Sequence, residues 1–205
     1  MSFQRSLAAI TLLLTTGVAA LGTSSIEQKR DHLRMLRTDR SNRMNVTTLD
    51  HAYLDARTLL TQPGRCSEYF GGSAVEQVLE ELVIKLREER LSDPRIGIRM
   101  YGSFKLFGNL ENQLSYRLFE NTELNTQGPF YKAKVFCADP YVPGVGSFGP
   151  NTREARSLIL LHELAHLVRN QNGTWLIPDD GDSPQLSRLN TSTVESRCGR
   201  QIRAL

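Results

Sequence analysis

The sequence predicts an α+β domain: a small twisted sheet packed on one apolar helix, with a helical C-terminal part completing it. Three observations carry that prediction. Residues 151–170, NTREARSLILLHELAHLVRN, hold Ala155, Leu158, Ile159, Leu161, Leu164, Ala165, Leu167 and Val168 at spacings that leave little of a helix wholly polar, as a core helix requires. Residues 73–89, SAVEQVLEELVIKLREE, place Val75, Val78, Leu79, Leu82, Val83 and Leu86 on one helical face. Residues 96–107, IGIRMYGSFKLF, alternate apolar and polar side chains and include Tyr and Phe, the pattern of a strand.

In chain order, residues 1–22 read as a secretory signal peptide. They have one basic residue, Arg5, an apolar run from Leu7 to Val18 and small residues after it, with Val18 and Ala20 suiting cleavage after Ala20. The run is short for a membrane span and is interrupted by threonine, so no stable membrane anchor is expected after cleavage. Secretion to a periplasmic or extracellular compartment is the expected localisation. About 185 residues remain, enough for one domain with a sizeable core. The net charge of +3 points to neither nucleic acid nor an acidic membrane as partner.

Residues 23–62 are expected to form a charged N-terminal linker with short elements. Residues 26–43 are dense in charge, as a solvated linker or a marginal helix. Residues 46–60, with Leu49, Tyr53, Leu54, Ala56, Leu59 and Leu60, suit a short helix or a strand and helix. Pro63 and Gly64 then break the pattern, and residues 63–205 make up the expected main domain.

Within that domain the 73–89 helix ends before Ser92, Asp93 and Pro94. Residues 96–107 are expected as one or two strands, with Gly102 at a turn or bulge. Tyr116 to Phe119 suit a short strand or a helical turn, and residues 129–137, PFYKAKVFC, a further strand. The turn-rich stretch that follows, ADPYVPGVGSFGPN, reads as a connecting loop, or alternatively as a mobile loop at a cleft mouth. A last helix is expected over 191–202.

The core helix carries the chemistry. His162, Glu163 and His166 form the pattern HExxH, and residues four apart lie one turn above each other on the same helical face. Two imidazoles so placed suit one tetrahedral zinc ion whose open position holds a water of lowered pKa. Glu163 stands beside that position as a general base, taking the water's proton during attack on a carbonyl and passing it to the leaving amine. The bland alternative is a core helix with two satisfied histidines. It leaves unexplained why two of only four histidines fall in one helical turn, and a buried imidazole pair beside a carboxylate is costly without a partner such as a metal. The third ligand must come from the residues after His166, where Asp179, Asp180, Asp182 and Glu195 are the candidates. Ordinary turn chemistry accounts for each Asp, and a solvated helix face for Glu195, if they are not ligands.

The HELAH segment resembles the active-site helix of the zincin class of metallopeptidases. That resemblance implies zinc ligation by His162 and His166, a general base at Glu163, and hydrolysis of peptide bonds in a peptide or protein substrate. Arg169 and Asn172 stand where the metzincin extension has Gly and His. Asn190 is followed by Thr191, where the thermolysin-like branch has its ligand Glu, and Glu195 is displaced by a turn. Gly173 and Thr174 match a deuterolysin-like segment, but Ile177 stands at its Asp position.

The rest of the chain is similar to a loosely defined set of secreted bacterial zincin-like proteins. Cys66, the Asn125-x-x-Gly128-Pro129-Phe130 segment, HExxH, the Ile177-Pro178-Asp179-Asp180-Gly181 stretch and the closing Asn190-Thr191-x-x-Val194-x-x-x-Cys198 carry that similarity. It implies a zincin-like fold and favours Asp180 over Glu195 as third ligand.

Three cysteines suit an oxidising compartment and leave one over. The same resemblance favours a Cys66–Cys198 disulfide, with Cys137–Cys198 as the alternative. Closing so long a loop contributes on the order of 4 kcal/mol. Asn45, Asn172 and Asn190 begin N-x-S/T triplets, which matter only in a glycosylating host. By analogy with other zincins, substrate lies extended along an edge strand from 96–107 or 129–137, with Tyr131, Tyr141 or an arginine as oxyanion donor. A zincin-fold binding module without turnover, and a metal-free disulfide-stabilised interaction protein, are the alternatives to a metallopeptidase.

Overall fold

A computed structural model describes residues 24–38, 46–109, 114–133, 141–181 and 183–205. The expected signal peptide, Asn45, Cys137 and Asp182 lie outside the described residues.

The charge-dense segment is a helix, α1 (Ser25–Thr38), in line with the second of its two expected forms. Its charges are not simply solvated. Lys29 donates to the carbonyls of Ile84 and Leu86, Arg30 pairs with Glu81, and Arg37 pairs with Glu76 and Glu80, while Leu33 is buried. Helix α2 (Thr48–Thr61) starts at a reciprocal cap: Thr47 Oγ1 accepts from Asp50 N, and the Asp50 carboxylate accepts from Thr47 N. It places Tyr53, Ala56, Leu59 and Leu60 in the core that also holds Leu158 and Leu161. A one-and-a-half-turn helix, α3 (Arg65–Phe70), follows the Pro63–Gly64 break and carries Cys66.

The helix expected over 73–89 is shorter at both ends. Gly72–Val75 form a 3₁₀ turn, α4 spans Glu76–Lys85, and Arg87–Glu89 leave the helix to become strand β1. The reason is tertiary. Arg87, Glu88 and Glu89 pair in parallel with Glu123, Leu124 and Asn125, and these ladder bonds replace the last helical turn.

Strand β2 (Ile98–Asn109) pairs antiparallel with β3 (Leu114–Asn125), in the order β1-β3-β2. The register slips between Tyr101 and Phe104, where Gly102 has φ 87°, a bulge that a side chain would strain. β3 runs well beyond the four residues expected of it.

The strand expected over 129–137 is not formed over its described part. Tyr131 N and Lys132 N both donate to Gly128 O, making a turn, and Pro129 has no N–H for a ladder. Asn125 explains the turn. Fully buried, it accepts from Leu91 N and Gln127 N and donates to Asp93 O and Ile96 O. Gly128 packs so closely there that a Cβ would stand 2.1 Å from Ile96 O. The Asn-x-x-Gly-Pro-Phe segment is thus a structural joint.

Helix α5 (Arg153–Leu167) is capped by Thr152, whose hydroxyl accepts from Ala155 N. The chain then makes a narrow hairpin. Arg169 N donates to Ser115 O, Asn170 N to Thr174 O and Leu176 N to Val168 O, so the outgoing arm at Val168 and Arg169 lies beside the start of β3 and the return arm pairs with it. Helix α6 (Pro184–Ile202) starts seven residues earlier than expected, with Ser183 as cap and proline in its first turn. Cys66 and Cys198 form a disulfide joining α3 to α6. The architecture is therefore α+β, a three-stranded sheet with helices packed around α5. Among the described residues, no helix is long and apolar enough to cross a membrane.

Candidate metal centre

Helix α5 buries its apolar residues on nearly all sides, which carries His162 and His166 into the interior at 6% and 5% exposure. Their rings meet edge to face, with Nε2 atoms 3.1 Å apart. The turn after Ile177 brings up Asp180. Its Oδ2 lies 3.1 Å from His162 Nε2 and its Oδ1 3.5 Å from His166 Nε2. One donor atom from each of the three residues falls within a 4.8 Å span.

These separations suit one ion. Ligand atoms 2.0–2.1 Å from a tetrahedral centre stand about 3.3 Å from each other. The tautomer suits it too. Thr191 Oγ1 lies 3.1 Å from His162 Nδ1 and can accept its proton, which leaves the Nε2 lone pair facing the cluster. His166 Nδ1 is buried and meets no partner among the described residues.

Asp180 is held by more than the imidazoles. Asn190, 2% exposed on α6, donates from Nδ2 to Pro178 O at 2.8 Å and to Asp180 Oδ1. Burial raises the affinity of the Asp180 carboxyl for a proton, but the His162 and His166 imidazoles outweigh it and hold the group well below the usual carboxylate range. Glu163, between the histidines in sequence, is partly buried. Burial pushes its pKa up to about 7, with the Asp180 charge reinforcing the shift and His162 opposing it.

Of the four acids considered for the third position, Asp180 stands at the histidines and Asp179 beside it faces Arg117. Glu195 is engaged elsewhere: it accepts from Ser147 N at 3.1 Å and from Ser147 Oγ, and pairs with Arg203 at 3.2 Å. Tyr131, an oxyanion candidate, donates its hydroxyl to Glu88 of β1, and burial with that carboxylate raises its pKa. Tyr141 is 63% exposed.

Sequence reading missed the supporting roles of Asn190, Thr191 and Arg117. For the first two a signal was present: they open the Asn-Thr-x-x-Val-x-x-x-Cys segment, whose Cys198 the disulfide anchors. Asn190 was readable as a glycosylation triplet, but its burial removes it from any such role.

Comparison of the chain with protein-family models, with curated proteins and with solved structures returned no match. The reading of this site therefore rests on its own geometry.

Proposed function

We propose that the chain is a secreted zinc metallopeptidase, with His162, His166 and Asp180 as metal ligands and Glu163 as general base. The observation that carries it is the convergence of three donor atoms at ligand spacing beside a carboxyl group of raised pKa. A zinc ion held there would acidify a coordinated water and polarise the scissile carbonyl.

The chain's own residues supply the rest. Thr191 keeps the His162 proton on Nδ1 and so keeps Nε2 a donor of electrons. Asn190 holds the Asp180 carboxylate against rotation. Glu163 accepts the proton of the attacking water and delivers it to the amine nitrogen as the peptide C–N bond breaks. Its partial burial limits the bulk water that reaches that transfer. Substrate would lie along the open edge of β2, the outer strand of the sheet. The disulfide, with the apolar run from Leu7 to Val18 that suits a signal peptide, supports export to an oxidising compartment.

Elemental analysis tests the reading. About one zinc per wild-type chain is expected, lost in folded His162→Ala and His166→Ala variants. Glu163→Gln should keep the zinc and lose about 10²–10⁴-fold in cleavage of a peptide library. Wild-type protein that retains no metal after zinc is offered and excess removed would sink the proposal.

A further inference from the structure

Arg117 of β3 is 2% exposed, one of the largest fully buried side chains among the described residues, and lies between the two halves of the candidate centre. Its Nε donates to His166 O at 2.9 Å, one of the carbonyls that the end of α5 leaves without a helical partner. Its two terminal nitrogens donate to the two oxygens of Asp179, the residue before Asp180. The guanidinium is packed in rings, 4.1 Å from the Trp175 centroid, 5.0 Å from Phe119 and 5.3 Å from Phe104. Trp175 is covered on the same hairpin by Arg169, at 4.5 Å.

A buried arginine is a poor source of stability, because desolvation offsets most of what its ion pair contributes. What such a group supplies well is register, and a planar fork supplies it in two directions at once. One edge of this fork sets the end of the helix that carries both histidines. The other sets the turn that carries the carboxylate. Asn190 holds Asp180 from the α6 side, and among the described residues Arg117 is the side chain of the sheet that hydrogen-bonds to both ligand-bearing segments.

We propose that Arg117 is a positioning residue that presets the distance between the His162–His166 pair and Asp180, and thereby sets zinc affinity. This rests on the metal-site reading above. The Arg117–Asp179 pair acts before any metal arrives, holding the three donors at ligand spacing so that binding need not order the 177–181 turn.

The test is zinc affinity by competition with a chromophoric chelator, together with the visible spectrum of the cobalt-substituted protein. Arg117→Met and Arg117→Lys should each lower zinc affinity by about 10–100-fold, because lysine keeps the charge but not the fork. Asp179→Asn keeps the shape of an exposed side chain and removes only the ion pair. It should lower affinity by about 10-fold, with folding intact by circular dichroism, and alter the cobalt absorption bands. Should the Arg117 variants fail to fold, Asp179→Asn decides alone. Unchanged zinc affinity and cobalt bands in folded Asp179→Asn, with wild type binding normally, overturn the role of the Arg117–Asp179 pair and leave the metal site standing. Wild type that binds no zinc overturns both.

Discussion

Helix α6 presents two carboxylate sites that look alike in sequence and differ in company. Its first half, through Asn190 and Thr191, faces Asp180 and His162; its second half carries Glu195 to Ser147 and Arg203. Asp180 thus meets two imidazoles, side chains that can ligate a metal, while Glu195 meets N–H and O–H donors that already satisfy it. The difference teaches that a carboxylate's role is set by whether its neighbours can themselves ligate a metal or only donate hydrogen bonds. Glu195 fastens the turn at 144–149 to α6, so closely that a Cβ on Gly146 would stand 2.2 Å from its oxygen. Asp180 instead completes a cluster of three residues that each offer one possible ligand atom.

Swapping the alanine substitutions gives the sharpest contrast. Asp180→Ala should reduce zinc affinity by more than the roughly 100-fold upper cost of losing a supporting partner. Glu195→Ala should leave zinc affinity unchanged and cost about 1 kcal/mol of stability, read from urea unfolding, as Ser147 N loses its acceptor. Equal effects of the two on zinc would erase the distinction.

A smaller effect comes from Glu163 and is specific to protein kept metal-free with chelator. Its carboxyl in the fold is pushed up to about 7, against 4.5 for an ordinary glutamate. The folded protein therefore keeps a proton that the unfolded chain has released. The resulting stabilisation is full below pH 4.5 and is lost as pH rises through 7, about 3 kcal/mol in all. Urea midpoints at pH 4.5 and pH 8 measure it, and Glu163→Gln should flatten the difference. Asp180 has the opposite sign: its depressed pKa stabilises the fold above the ordinary carboxylate range, and that is lost as pH falls.

Thr191→Val should give the smallest change on zinc, about 10-fold in affinity, by releasing the His162 tautomer. Ser147→Ala, the matching change on the Glu195 side, should leave zinc binding alone. A zinc response to Ser147→Ala would show the two halves of α6 to be coupled.

Much of this was legible in the chain. The α5 helix announced itself through near-continuous apolar spacing, the bulge through Gly102 inside an alternating run, and the histidine pair of the candidate metal centre through the spacing of His162 and His166. What was hidden depended on distant partners. Arg87–Glu89 are three charged, exposed residues with no strand signature; only the free edge of β3 makes them extended. Residues 184–190 lack a clear apolar face, so α6 showed itself only from Thr191 onward, although Ser183 and Pro184 mark its start. Asp180 could not be told from Glu195 by spacing, because a turn's reach is decided by Asn190 and by the fork of Arg117. Their hydrogen bonds span 10 and 62 positions.

The disulfide has a consequence for what happens when the backbone is cut. Cys66 and Cys198 are 132 positions apart, and the covalent ring they close contains the whole sheet, α4, α5, the Asp180 turn and most of α6. A single break anywhere inside that ring releases no fragment, since both new ends remain tethered through sulfur. Histidines and carboxylate stay on one molecule after a nick in the exposed hairpin between them, and separate only when reductant follows the cut.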